Sequence, residues 1–393
     1  MAIKAREFVR DYGLFACIQC GKCTGGCPLS RKSILNIRGL IYELLLTDNN
    51  FDPDSVDVLW DCTTCSTCSE RCPKDVKPMD IIVGLRSVVV EGGQVPKTAK
   101  VALNSVFTKG NTLSMAREDR DLWAEGLSVK RLSEDPEVDY LFYVGCSPSY
   151  DPRVQKVSQA MVKVFEKAGV DYGILGQEEV CCGSEVRRLG EQGLFEVQVE
   201  DNMLLWQDYD VKKVVTASPH CYNTFKNDYA AVAVELAKDE ELELELRAED
   251  VQFMHYTQLV AQLIKDGKLA FEGELDKTVT YHDPCYLGKQ NQIFDEPRFI
   301  LESIPGLKLV EMDRCRERSL CCEGGGGRMW LEGTNIEERL AHQRVQEALA
   351  TGAEILATAC PFCILTLEDA VKSLGMEEQL QVLDIMELLA QVV

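Results

Sequence analysis

Two stretches of this chain place four cysteines at one and the same spacing. They are Cys17, Cys20, Cys23 and Cys27 followed by Pro28, and Cys62, Cys65, Cys68 and Cys72 followed by Pro73. Thiols at i, i+3 and i+6 converge on one centre only if the backbone coils tightly around it, and the fourth ligand must then arrive from elsewhere. With 18 cysteines in 393 residues, disulfides are the first alternative. The chain is long for a disulfide scaffold, however, and its opening, Met-Ala-Ile-Lys-Ala-Arg-Glu-Phe, has no apolar signal core. Metal-ligating thiols in a reducing cytoplasm are therefore expected. A hydrophobic content of 46% supports two or three packed domains. No apolar run reaches membrane-spanning length; Ile81–Val90 is short and carries Arg86. A net charge of -22 argues against nucleic acid as a partner. Much of that charge lies in the run from Lys238 to Asp250, read as a solvated helical face or loop.

The doubled spacing resembles that of two-cluster bacterial ferredoxins, in which each run lends its fourth cysteine to the other cluster. The resemblance implies one [4Fe-4S] cubane on Cys17, Cys20, Cys23 and Cys72, and a second on Cys62, Cys65, Cys68 and Cys27. Paired C-x2-C steps also suit zinc, but three steps plus a fourth cysteine exceed what one zinc site needs. Gly21, Gly25 and Gly26 allow the backbone to approach a cluster closely. Ser33–Thr47 has helical spacing, with Ile34, Ile37, Leu40, Ile41 and Leu44 on one face, and is expected to shield the clusters.

From about residue 137 three segments recur in order. Leu141–Cys146 matches Val279–Cys285, Val180–Gly183 matches Leu320–Glu323, and Thr216–Cys221 matches Thr358–Cys363. Short β-rich runs at Tyr140–Gly145, Val214–Ala217, Thr278–His282 and Glu354–Ala359 stop where a cysteine begins. Amphipathic helical stretches, such as Val154–Ala168 and Ile336–Ala350, lie between them. The alternation predicts a small parallel sheet in each half, with the cysteines gathered at the carboxyl ends of its strands.

A cysteine, then a vicinal Cys-Cys-Gly, then C-x2-C resembles the cysteine-rich CCG domains of heterodisulfide reductase. In that family five cysteines hold a noncubane [4Fe-4S] cluster. The second half carries the full set, Cys285, Cys321, Cys322, Cys360 and Cys363, and these would also be the catalytic residues if chemistry occurs here. The first half departs from the pattern, because Ser218 stands where the fifth cysteine is expected. Cys146, Cys181, Cys182 and Cys221 remain, a set that suits a conventional cluster, a noncubane cluster using the Ser218 oxygen, or zinc. Glu323 replaces the usual glycine of the second half, and Gly324–Gly327 restores flexibility after it. Cys315 is an extra thiol read as a passive neighbour. His282 lies near Cys285 and His220 beside Cys221; both are read first as hydrogen-bonding groups, with proton donation and ligation as the alternatives. His255 and His342 receive no role.

Ferredoxin runs followed by a duplicated CCG region are similar to the D-type subunit of heterodisulfide reductase, which looks like the C-type subunit fused to the B-type subunit. The resemblance implies an α+β/α/β chain. A helical two-cluster ferredoxin domain at 1–95 and a helical linker at 96–136 precede two small α/β halves at 137–272 and 273–393. It also implies an iron-sulfur electron-transfer subunit whose partners are a flavoprotein or other redox subunits, and whose second-half site reduces a disulfide of the CoM-S-S-CoB type. The same architecture occurs in glycolate oxidase, anaerobic glycerol-3-phosphate dehydrogenase and class II benzoyl-CoA reductase complexes, where such a chain is a relay without chemistry of its own.

Overall fold

Three apolar runs of the C-terminal region extend as strands that lead to Cys146, Cys285 and Cys360. The computed structural model describes residues 5–46, 57–239, 241–331 and 339–393. Five strands form the first sheet: β1 (Lys130–Arg131), β2 (Tyr140–Tyr143), β3 (Tyr172–Ile174), β4 (Lys213–Thr216) and β5 (Gln252–His255), in the order β1-β3-β2-β4-β5. Four form the second: β6 (Thr278–Tyr281), β7 (Lys308–Val310), β8 (Ile355–Thr358) and β9 (Gln381–Asp384), in the order β7-β6-β8-β9. Every pairing is parallel. Apart from the edge strand β1, the two orders are the same.

Register makes the correspondence residue by residue. Thr216 pairs with His255 in the first sheet, and Thr358 pairs with Asp384 in the second. Aligning the two threonines puts Ser218 on Cys360, His220 on Phe362 and Cys221 on Cys363. His255 and Asp384 both cap the helix that follows, Tyr256–Lys265 and Ile385–Leu389, each with a reciprocal bond from the residue three further on.

The halves bury their sheets against each other with twofold exchange. The helix Tyr256–Lys265 packs on Asp295–Ser303 of the second half, and its counterpart Ile385–Leu389 packs on Pro152–Lys167 of the first. Phe142, Val215, Val279, Tyr281, Ala357 and Ile385 belong to the shared core. Arg153 crosses the same seam to Glu387 at 2.9 Å and Glu368 at 3.3 Å.

The described elements depart from the sequence reading at Ile34 and in the segment 96–136. Ile34 is not on the helical face, for it is 89% exposed. Ser33 Oγ accepts the Leu35 amide at 3.0 Å, and the helix begins only at Ile37, with Ile37, Ile41 and Leu44 buried; Thr47 lies outside the described residues. The segment 96–136 holds the helix Lys97–Lys109 and also β1, which makes it an edge of the first sheet. The helix read as Ile336–Ala350 is described from Leu340 to Ala350, and Ile336 falls outside the described residues. The described part of the acidic run is irregular apart from the turn Ala248–Asp250, and is pinned by buried Leu244.

One helix ties the N-terminal part to both sheets. Pro78–Glu91 buries Ile81, Ile82, Leu85 and Val89, and among them Arg86 is fully buried. Its guanidinium donates to the carbonyls of Leu59 (2.7 Å), Cys62 (2.8 Å), Arg188 (2.7 Å) and Gly326 (3.0 Å), so three regions of the chain share one cation. No described helix is long and apolar enough to cross a membrane.

Candidate metal centres

The first cysteine loop is a turn of left-handed residues, Gln19 and Gly21, leading into the short helix Lys22–Gly26. It aims Cys17, Cys20 and Cys23 into one small cavity, and the fourth thiol lining that cavity is Cys72, from the other run. Ile41 and Val76 close it with carbon. Four soft thiols converging from two loops in a setting of backbone amides and aliphatic side chains fit an iron-sulfur cluster.

The second loop repeats the device with Thr64 and Ser66 in the left-handed region. Cys62, Cys65 and Cys68 are buried, and Cys27 sits with them. Burial raises the Cys27 thiol, and the charges of Cys65 and Cys62 raise it further. Burial likewise dominates the rise at Cys68, followed by Cys62, Cys65 and Cys27. Each four-cysteine run therefore sends its last thiol to the other group.

In the second half the five thiols form a chain of contacts. Cys285 packs with Cys321, Cys322 Sγ lies 3.2 Å from Cys363 Sγ, and Cys360 packs with both of the latter. Hydrogen bonds from Cys321 and then Cys363 hold the Cys322 thiol well below its ordinary value. The Glu323 amide donates to Cys321 Sγ at 3.3 Å, which requires the left-handed backbone of Glu323 (φ 71). A ring nitrogen of His282 lies within 4.8 Å of the sulfurs of Cys322 and Cys363. Arg344 Nε donates to His282 Nδ1 at 3.0 Å, so the ring proton resides on Nε2. Burial, then the Arg344 charge, keep the ring neutral, with its pKa well below the usual value. Cys315 stands apart from this group, half-buried near Glu311 and Asp283.

In the first half Cys146, Cys181, Cys182 and Cys221 line a cavity closed from the other half by Pro361 and Phe362. Ser218 lines the same cavity, and its Oγ caps the helix Pro219–Asn223 by accepting the His220 amide at 3.3 Å. Cys360, at the matching position, makes no such side-chain cap.

His220 is a buried hydrogen-bonding group, as first read. Its ring is coupled electrostatically across the twofold to the Cys360 thiol. Nδ1 meets Glu185 Oε1 at 3.0 Å, and the ring stacks on Tyr286 at 4.0 Å and leans on Phe362 at 4.6 Å. Burial alone would lower its pKa, but the interactions with Cys360 and Glu185 raise it to about 10.

Several neighbours of the thiols gave no sequence signal. Arg120 is buried 2.7 Å from Glu179 and 3.9 Å from Cys146 Sγ, and Glu179 accepts the amides of Val144 and Gly145 at 2.9 Å. Lys289 is buried 2.8 Å from Thr67 Oγ1, where its charge lowers the Cys65 thiol that other effects raise. Only the proximity of Glu179 to Cys181 in sequence could have drawn attention to any of them.

The groups also touch one another. Buried Cys65 of the second ferredoxin loop packs in one cluster with Cys285 and Cys321 of the second half, and Cys321 Sγ lies 3.4 Å from Thr63 Oγ1. Thr64 Oγ1 and Tyr286 OH are 2.6 Å apart across the same junction.

Comparison with known proteins matches this geometry. Residues 13–76 match the 4Fe-4S dicluster domain family, and residues 140–226 and 279–368 each match the cysteine-rich CCG domain family. The D-type subunit of the dihydromethanophenazine:CoB--CoM heterodisulfide reductase of Methanosarcina barkeri is 31% identical, over 96% of this chain and 93% of that one. The chain belongs to the family of that D-type subunit. Members of this family carry iron-sulfur clusters, and the role of the chain is electron transfer. It is also 34% identical to the probable iron-sulfur-binding oxidoreductase FadF of Bacillus subtilis and 30% identical to the EtfAB:quinone oxidoreductase of Syntrophomonas wolfei, over 96% and 98% of its length. It spans 59% of each of those two relatives. Among solved structures, a hypothetical protein from Helicobacter pylori shares the fold with a TM-score of 0.57 at 11% identity, covering 100% of this chain and 72% of that one.

Proposed function

We propose that this chain is the iron-sulfur electron-transfer part of a larger cytoplasmic oxidoreductase. Cys17, Cys20, Cys23 and Cys72 hold one [4Fe-4S] cubane, and Cys27, Cys62, Cys65 and Cys68 hold a second. Cys285, Cys321, Cys322, Cys360 and Cys363 hold a noncubane [4Fe-4S] cluster. The observation that carries this reading is the packing of buried Cys65 with Cys285 and Cys321 in one cluster, with Cys321 Sγ 3.4 Å from Thr63 Oγ1, which sets the second ferredoxin loop against the second-half group. When bound, such clusters supply one-electron transfer. The chain's own side chains exclude water from the groups, and Lys289, His220 and His282 place positive charge or N–H groups against the sulfurs. Cys146, Cys181, Cys182 and Cys221 hold a further cluster or zinc without Ser218, which is engaged as a helix cap. Two-electron chemistry belongs to a partner, and a flavoprotein is the neighbour we propose.

A second reading, reduction of a disulfide at the second-half group, is favoured by one observation: the neutral His282 carries its proton on Nε2 and lies beside Cys322 and Cys363. Anaerobic purification with iron and sulfide counts and EPR tests the assignment. Cys360→Ser should abolish an unusual high-potential signal and leave the cubane signals intact; an unchanged spectrum would sink the noncubane site. Thiol release from a CoM-S-S-CoB-type heterodisulfide with a reduced dye as donor decides between the readings, because a relay gives none.

A further inference from the structure

Of the eighteen cysteines, only Cys20 is exposed, so the group of Cys17, Cys20, Cys23 and Cys72 is where the chain of thiols meets solvent. The rim of that group is unlike the rest of the molecule. The chain carries a net charge of -22, yet Lys22, Arg38 and Lys74 line this cavity and, among the described residues, no carboxylate does. Two arginines lie across the glycines of the loop: Arg38 passes 3.5 Å from where a Cβ on Gly21 would be, and Arg71 occupies the space, 2.5 Å away, of one on Gly26. Among the described residues none of these four cations has a carboxylate partner. Beside them Phe15 is 77% and Ile18 58% exposed.

We propose that this rim is the docking surface for an acidic one-electron carrier protein. The inference rests on the reading that a cluster occupies these four cysteines. Charge complementarity selects the occupant. Between two strongly acidic proteins the encounter is repulsive everywhere except where one presents a positive patch, and here that patch encircles the exposed thiol. Phe15 and Ile18 supply the apolar contact that holds the encounter once it is oriented. An anionic membrane would also attract cations beside exposed Phe and Ile. It brings no electron to Cys20, and the redox role of the chain favours the carrier.

The test uses the full-length, anaerobically purified protein and a reduced acidic two-[4Fe-4S] ferredoxin as the probe, with reduced methyl viologen as a donor that needs no docking. Stopped-flow reduction by the ferredoxin should slow about tenfold or more in the combined variant Lys22→Glu/Arg38→Glu/Lys74→Glu, and should slow in wild type as salt rises from low to physiological strength. The milder Lys22→Gln/Lys74→Gln, which keeps Arg38 against Gly21, should show a smaller loss in the same direction. Loss of positive charge beside the cluster lowers its EPR-monitored midpoint potential, and viologen reduction should slow by no more than that shift accounts for. Ferredoxin rates indifferent to both charge and salt overturn the docking surface while the cluster signal stands, as does a loss that viologen shares in full. Charge-dependent binding to anionic phosphatidylglycerol vesicles without any effect on ferredoxin reassigns the patch to the membrane. Absence of iron from the N-terminal cysteines overturns the cluster reading itself and the surface with it.

Discussion

Ser218 and Cys360 occupy one position in two copies of the same fold, and a single atom decides what each does. An oxygen is a good acceptor for a helix N-terminus and a poor ligand for iron, whereas sulfur is the reverse. Ser218→Ala should therefore leave the metal content of the first half unchanged and lower stability by about 1 kcal/mol, the usual worth of a cap; a loss of metal on analysis would show Ser218 to be a ligand. The residue after each vicinal pair shows the same economy. Gly183 and Glu323 both hold a left-handed backbone, at φ 77 and 71. A Cβ on Gly183 would meet the Phe195 ring at 2.7 Å, so glycine is required there. Glu323 instead offsets the strain, on the order of 1–2 kcal/mol, because its carboxylate accepts the Leu340 amide at 2.8 Å.

Among the elements, the helix Tyr256–Lys265 carries an unexpected pH dependence. Its cap His255 is fully buried, Nε2 has no partner, and burial lowers its pKa from 6.5 to about 3. The ring stays neutral in the fold while the unfolded chain takes up a proton below pH 6.5, so stability falls as pH drops from 6.5 towards 3. The slope approaches about 1.4 kcal/mol per pH unit. Melting temperatures at about pH 7.5 and pH 5.5 should diverge in wild type and converge in His255→Asn, which retains a capping oxygen. Elements of this kind were largely legible in sequence. The strands β2, β4, β6 and β8 were visible as short apolar runs just ahead of a cysteine or Ser218, the other strands were not foreseen, and the exchange of Cys27 and Cys72 was implied by the resemblance to two-cluster ferredoxins. Ile34 misled because periodicity cannot see that Ser33 turns the chain first. Lys130–Arg131 could not be foreseen as a strand, since two polar residues acquire that conformation only by pairing with β3. The aim of His220 was hidden for a related reason, because its partner Cys360 is brought close by the packing of two sheets.

At the scale of the whole molecule, the cysteine groups are arranged in sequence from an exposed end at Cys20, through the buried loop of Cys65, to Cys321 and the second half. The joint between ferredoxin part and sheets is polar at its centre, since among the described residues Arg86 is bound by four carbonyls and no carboxylate. Replacing it leaves those carbonyls without donors in a dry interior, at a cost of about 3 kcal/mol or more. Arg86→Met should expose the N-terminal module to limited proteolysis at temperatures where wild type resists; equal resistance would show that apolar packing alone holds the joint. The duplicated halves are joined as firmly, and the rings of His220 and Phe362 meet where the twofold passes. Two descendants of one ancestral segment have thereby become non-interchangeable. A chain assembled from two first halves would set histidine against histidine with no Cys360 to receive either, and one assembled from two second halves would leave that sulfur facing phenylalanine. Each half is now part of the environment in which the other evolves.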